Sequence, residues 1–281
     1  MTILDKIVRA THKRVELRKE EVLLDVLQQR LEALATTSGY PFERALAADD
    51  DIAFICEVKK ASPSKGVIVE DFPYLAIARA YEQAGAAAIS VLTEPQFFQG
   101  SPHYLQEIAA AVDVPLLCKD FIVDLYQVYE AKTLGAQAVL LIASLFEEQE
   151  LASFVAHTHD LGMSALVEVH TGAEVQYALA AGARVIGVNN RDLATFEVDL
   201  NTSLRLREQV PPPVLFVSES GIHSPADVQR LRDHGVDAVL VGESLMRAAD
   251  KRRFLAELRG EVAGLTGVVS AEPSEQKRGE A

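Results

Sequence analysis

The stretch FICEVKKASPSKGVI, residues 54–68, begins as a buried β-strand and then places Glu57, Lys59 and Lys60 where a core wants apolar side chains. Alternate residues of a strand share a face, so Glu57 and Lys59 point the same way. An apolar start with a charged end suits a strand whose last residues rim a cavity. There the charges can pair with each other and with those of a ligand.

The same design recurs along the chain. Short apolar runs rich in β-branched residues stand at AFICEVK (53–59), AAISVLT (87–93), PLLCKDF (115–121) and AVLLIAS (138–144). Four more stand at SALVEVH (164–170), RVIGVNN (184–190), VLFVSES (214–220) and AVLVGES (238–244). Several follow a helical pattern that closes on glycine, as in EQAGA, KTLGA, HDLGM, LAAGA and RDHGV, the usual helix C-cap before a strand. Near-continuous apolar strands alternating with helices predict a parallel sheet covered on both faces. Eight such units in roughly 200 residues predict an α/β fold, a (β/α)8 TIM barrel, over a doubly wound sheet.

Polarity enters these runs at their ends: Glu57 and Lys59, Thr93, Lys119, Ser144, Glu168, Asn189 and Asn190, Glu219 and Ser220, and Gly242, Glu243 and Ser244. A barrel gathers all of these at its C-terminal face, where active sites lie. A structural ion pair would account for any one of them. It does not account for the set, because a purely structural barrel has no need to load one end of every strand.

Flanking segments differ. Leu4, Ile7, Val8, Val15, Val22, Leu23, Val26, Leu27 and Leu31 recur at helical spacing, and SGYPF (38–42) breaks the pattern. Residues 1–50 therefore read as additional N-terminal helices, 51–261 as the barrel, and 262–281, polar and aperiodic, as a loose tail. The 281 residues are 49% hydrophobic, enough for a sizeable core. A net charge of −14 argues against a sequence-independent grip on nucleic acid. The charged N-terminus is no signal peptide and no apolar run spans a bilayer, so a cytoplasmic protein with no membrane partner is expected. Cys56 and Cys118 lie inside apolar runs without metal or disulfide spacing, and read as core thiols.

Lys59 and Lys119 are expected to face one mouth from strands 1 and 3, with Glu168 and Glu219 opposite on strands 5 and 7 and Glu57 deeper. Acids facing bases can tune each other's protonation, and a lysine can hold a carboxylate or protonate a carbonyl oxygen. Asn189 can hold a hydroxyl. His170 reads as a ligand or, preferably, as a cap for the next helix. SESGI (218–222) and VGESLMR (241–247) offer backbone N–H groups for a phosphate after strands 7 and 8, with Ser62 and Ser64 of SPSKG beside them. Phe97, Phe98 and Phe121 either anchor loops or line a slot for an aromatic group. The residues alone reach a barrel enzyme for a phosphorylated anionic substrate. They do not name the reaction.

The runs EVKKASPSKG (57–66), LTEPQFFQG (92–100), LLCKDF (116–121), LVEVH (166–170), IGVNNRDLATFEVDL (186–200), SESGI and VGESLMR resemble, in order, the indole-3-glycerol phosphate synthase family. The resemblance covers about residues 50–250, and the N-terminal segment resembles the family's extra helices that help cover the mouth. It implies ring closure of 1-(2-carboxyphenylamino)-1-deoxyribulose 5-phosphate to indole-3-glycerol phosphate, CO2 and water in tryptophan biosynthesis, with no cofactor and no metal. By the family's pattern Lys119 is the general acid on the carbonyl, Lys59 binds the anthranilate carboxylate and Glu168 assists the dehydration. Glu57, Asn189 and Glu219 orient them. Ser62, Arg191, Ser220, Gly221, Gly242 and Glu243 match phosphate and substrate contacts, and Phe98, Phe121 and Leu193 match the anthranilate pocket. Glu243 departs from the pattern, since a small polar residue is commoner there; its backbone N–H alone is expected to face the ligand. Rival readings are a phosphoribosylanthranilate isomerase, a Schiff-base aldolase acting through Lys119, and a non-catalytic binding barrel. A monomer is expected.

Overall fold

The structure, a computed structural model, describes residues 2–33, 39–48, 51–192 and 195–261. The expected tail, 262–281, and Leu193 lie outside the described residues. Eight parallel strands close into a barrel: β1 Ala53–Val58, β2 Ala88–Leu92, β3 Leu116–Lys119, β4 Ala138–Ile142, β5 Ser164–Val169, β6 Val185–Asn189, β7 Leu215–Glu219 and β8 Ala238–Val241. Every strand pairs with its neighbours in sequence, and β1 pairs with β8 to complete the ring. Helices wrap the outside, α4 Tyr74–Gln83 through α12 Lys251–Arg259. Several start on a capping side chain, such as Asp124, which accepts from Tyr126 N at 2.9 Å. Among the glycines expected to end helices, Gly85 and Gly135 adopt φ of 79° and 95°, a conformation that costs other residues about 1 kcal/mol or more.

Strand parity positions the site. Ile55, Leu117, Leu166, Val217 and Leu240 fill the barrel interior, and two residues further along the same inward faces stand Glu57, Lys119, Glu168, Glu219 and Gly242. The lower layers are thus apolar, and Glu57, Lys119, Glu168 and Glu219 stand above them at the mouth, which is why charge can follow a hydrophobic run in these strands.

Three helices precede the barrel: α1 Ile3–Glu21, α2 Leu24–Ala33 and α3 Pro41–Leu46. They do not act as one cover. Helix α1 carries Ile3, Leu4 and Ile7 to the mouth, and is tied down by Arg14 to Asp120 at 2.7 Å and by Arg18 to Glu130 on α6 (Leu125–Thr133) at 2.7 Å. Helix α3 instead plugs the opposite end, burying Phe42 and Leu46 among Ile55, Ala88, Leu117, Val185 and Ala238. Its Glu43 accepts from Ser164 Oγ at 2.8 Å at the start of β5. Of the apolar residues at helical spacing in this segment, Ile7, Val15 and Leu27 are buried, but Leu23 falls in the break between α1 and α2 and is 63% exposed. Among the described residues no helix is long and apolar enough to cross a membrane.

Candidate active site

The barrel mouth encloses about 1170 Å³ of space out to its open rim. Glu57, Lys59, Ser62, Phe98, Lys119, Phe121, Glu168, Asn189, Arg191, Glu219, Ser220, Gly221, Gly242 and Glu243 all line it. Every residue matched to the family's site is therefore brought to one cavity, except Leu193, which is not described; Ser64 and Ser244 line it too, whereas Thr93, Phe97, Ser144 and Asn190 do not.

Lys119 ends β3 and is the centre of the charge network. Its Nζ donates to Oε2 of Glu219 at 2.5 Å and to Oε2 of Glu168 at 3.2 Å, bonds to strands 100 and 49 residues further along the chain. Burial works against the lysine charge, but Glu219, then Glu168 and Glu57, outweigh it and hold Lys119 above the ordinary lysine range. Glu219 is raised to about 7, because burial and the negative charge of Glu168 outweigh the attraction of Lys119. Burial also opposes ionisation of Glu168, yet Lys119, His170 and the hydrogen bond from Asn189 keep its carboxyl below the usual range. Two carboxylates around one ammonium thus differ in proton affinity, the arrangement that general acid–base chemistry requires.

A second pair, Lys59 with Glu57, is hydrogen-bonded on the extension of β1. Both carboxylates need room that only glycine leaves. A β-carbon on Gly187 would overlap Oε1 of Glu219, and one on Gly242 would overlap Oε1 of Glu57. Asn189 Nδ2 donates to Oε1 of Glu168 at 3.3 Å, and its own Oδ1 accepts from Arg191 N at 3.1 Å.

The loops after β7 and β8 face the other side of the mouth. Ser220 and Gly221 take successive positive φ of 65° and 82°; for the serine this is strain of about 1 kcal/mol or more held at the site. Gly242 precedes the short helix α11 (Glu243–Arg247). The Glu243 carboxylate accepts from Arg247 Nε at 3.1 Å and lies 3.8 Å from Lys65 Nζ, so cations surround it on the cavity rim. Ser62 and Ser64 come from a small antiparallel hairpin, 61–62 against 66–67, and their hydroxyls lie 3.5 Å apart. Phe98 and Phe121 face each other with ring centroids 5.9 Å apart, forming an apolar wall.

Two residues hold these loops; the sequence places Asn190 at a strand end without giving it a role and does not single out Glu94. Asn190 is buried; its Nδ2 donates to Ser218 Oγ, Glu219 O and Ser220 O, each at 3.0 Å, while its Oδ1 accepts from Ser203 Oγ at 2.8 Å. Glu94, also buried, accepts from the backbone N–H groups of Gln96, Phe97 and Phe98 at 3.0, 2.6 and 3.0 Å and so shapes the aromatic loop. The available signals were an Asn beside the expected Asn189 and an acid directly ahead of Pro95 and two phenylalanines. His170 is not the cap expected of it: Thr171 caps α8 (Gly172–Ala180), its Oγ1 accepting from Glu174 N at 3.2 Å, while the His170 backbone N–H donates to Glu174 Oε2 at 2.7 Å.

A family model described as indole-3-glycerol phosphate synthase matches residues 4–258. Among curated proteins, the indole-3-glycerol phosphate synthase of Ruminiclostridium cellulolyticum is 51% identical over 258 residues, covering 92% of this chain and 99% of that protein. That of Endomicrobium trichonymphae is 50% identical over 257 residues, covering 92% and 99%. A crystal structure of 3-hexulose-6-phosphate synthase superposes with a TM-score of 0.61 at 17% identity, covering 75% of this chain and all of that one; at that identity the likeness speaks for the barrel alone.

Proposed function

The chain belongs to the indole-3-glycerol phosphate synthase family, and from that premise we propose a role for each group in its barrel mouth. The protein is a carboxy-lyase of tryptophan biosynthesis that closes the indole ring to give indole-3-glycerol phosphate. Its substrate is 1-(2-carboxyphenylamino)-1-deoxyribulose 5-phosphate. The observation that carries the reading is the Lys119 ammonium held at the mouth between the buried carboxylates of Glu168 and Glu219.

Lys119 protonates the carbonyl oxygen as the ring carbon attacks it. Negative charge develops on that oxygen only in the transition state, so a fixed ammonium stabilises the transition state more than the ground state. Lys59, kept in place by Glu57, binds the substrate carboxylate. Loss of CO2 returns electrons to the ring, with the arylamine iminium as the sink. Glu168, steadied by Asn189, then assists departure of the hydroxyl and removal of the carbon-bound proton. Glu219 keeps Lys119 charged and in place. Phe98 and Phe121 form the wall against which the aromatic ring packs. Backbone N–H groups of Ser220, Gly221, Gly242 and Glu243, with Ser62 and Arg191, hold the phosphate. One chain supplies all of these groups, so the monomer suffices as the catalytic unit.

Fluorescence detection of indole-3-glycerol phosphate tests the reading. Wild type should form product, and Lys119→Ala should still bind substrate while turnover falls about 10²- to 10⁴-fold. Near-full activity in Lys119→Ala would move the proton donor to Lys59.

A further inference from the structure

Ring closure with loss of an ionised carboxylate takes up one proton per turnover. The carboxylate leaves as neutral CO2 and its electron pair stays in the ring. Two protons end on the departing oxygen and one is returned from carbon, so the balance must come from solvent. Lys119, the first donor, stands half-buried beneath the bound substrate and has to be recharged.

The groups around Glu168 offer a route. Oε2 of Glu168 faces Lys119 at 3.2 Å, while its other oxygen, Oε1, lies 3.7 Å from His170 Nε2. That nitrogen is buried and has no hydrogen-bond partner among the described residues. A shift of about 0.7 Å closes the gap to hydrogen-bond length. On its far side, His170 Nδ1 lies 3.6 Å from Oε2 of Glu174, a side chain 23% exposed on the first turn of α8. Neither His170 nor Glu174 lines the mouth cavity, so the series reaches Glu168, which adjoins Lys119, from outside the space the substrate fills.

We propose that His170 is a relay residue, acting through Glu168, that recharges Lys119 from solvent beside Glu174 while substrate fills the mouth; this rests on the roles given above to Lys119 and Glu168. The imidazolium passes its Nε2 proton to Oε1 of Glu168. The carboxyl turns about Cγ–Cδ and hands that proton to the Lys119 amine. The neutral ring rotates about Cβ–Cγ and takes its next proton from water, its side chain being 19% exposed. The charged groups facing the ring are Glu168 on β5, Glu174 on α8 and Glu219 on β7, with neutral Asn189 on β6 beside Glu168. Burial disfavours the imidazolium, but Glu174, then Glu168 and Glu219, raise its pKa above the ordinary histidine value.

The test compares wild type, His170→Asn, His170→Ala and Glu168→Gln in stopped-flow and steady-state assays between about pH 6 and 9. Enzyme mixed with excess substrate starts with Lys119 already charged. The relay therefore predicts a normal first turnover in the His170 variants, followed by steady-state turnover about 10- to 100-fold slower with unchanged KM. The deficit should be largest below the imidazole pKa and close above it, where wild type has lost its own donor. Added imidazole should restore His170→Ala. A slowed first turnover would assign His170 a purely structural part and overturn the relay. A kcat–pH profile parallel to that of wild type, with no imidazole rescue, would overturn it as well. Full turnover in Glu168→Gln would instead refute the role given to Glu168.

Discussion

Gly187 in β6 lies against the carboxylate of Glu219, and adding one methyl there tests whether that carboxylate must stand where it does. The new β-carbon would overlap Oε1 of Glu219 and sit 3.1 Å from Cδ1 of Leu166. Glu219 is only 2% exposed and lies 2.5 Å from Lys119, so it cannot swing away without giving up the ion pair. Overpacking of this kind costs about 1–3 kcal/mol, which lowers Tm by roughly 2–4 °C per kcal/mol in a chain of this size. Displacing a group beside the reacting atoms by about 1 Å costs about 10²-fold in turnover. Thermal unfolding and the product-fluorescence assay should be run on wild type, Gly187→Ala, Glu219→Ala and the double variant. Removing the Glu219 side chain makes room for the methyl, so the stability losses should fall short of additivity by about 1–2 kcal/mol. Equal cost of Gly187→Ala in both backgrounds would refute the steric reasoning. A stability loss with wild-type kcat would show that the place of Glu219 does not matter to the reaction.

Other outcomes follow from the same geometry. Glu219 titrates near 7 in the folded chain against 4.5 as the reference value, so its protonated form favours folding. That contribution is complete below about pH 4.5 and is lost as pH rises through 7; unfolding of Glu219→Gln in denaturant should lack this loss. Asn190→Ala removes three donated bonds that hold the β7 loop, and should raise KM for the phosphorylated substrate while costing about 2–3 kcal/mol of stability. Arg14→Ala frees Asp120 from α1; calorimetry should show a loss of about 1 kcal/mol, and kinetics a raised KM as Ile3, Leu4 and Ile7 loosen at the mouth. Phe42→Ala at the opposite end should cost about 3–5 kcal/mol yet leave kcat unchanged at temperatures where the variant is folded.

The sequence alone determined the eight-unit barrel, because burial on both faces demands apolar runs and helix ends demand glycine, and both marks are local. It also determined which residues gather at the mouth, since strand parity and strand ends are counted along the chain. Parity cannot say which partner across the barrel a side chain meets. That Lys119 lies between Glu168 and Glu219 depends on closure and register, which no local window contains. Leu23 matched the helical spacing and is exposed because a helix break places it outward. Phe42 lies within, and Leu46 follows, the stretch that breaks the helical spacing, and their burial exists only because α3 reaches the open lower end of a closed barrel. Asn190 and Glu94 are ordinary polar residues until the fold folds backbone N–H and C=O groups around them. Local patterns state how each segment prefers to bury itself; the long-range pairings that set charge and position in the mouth arise only when the ring of strands closes.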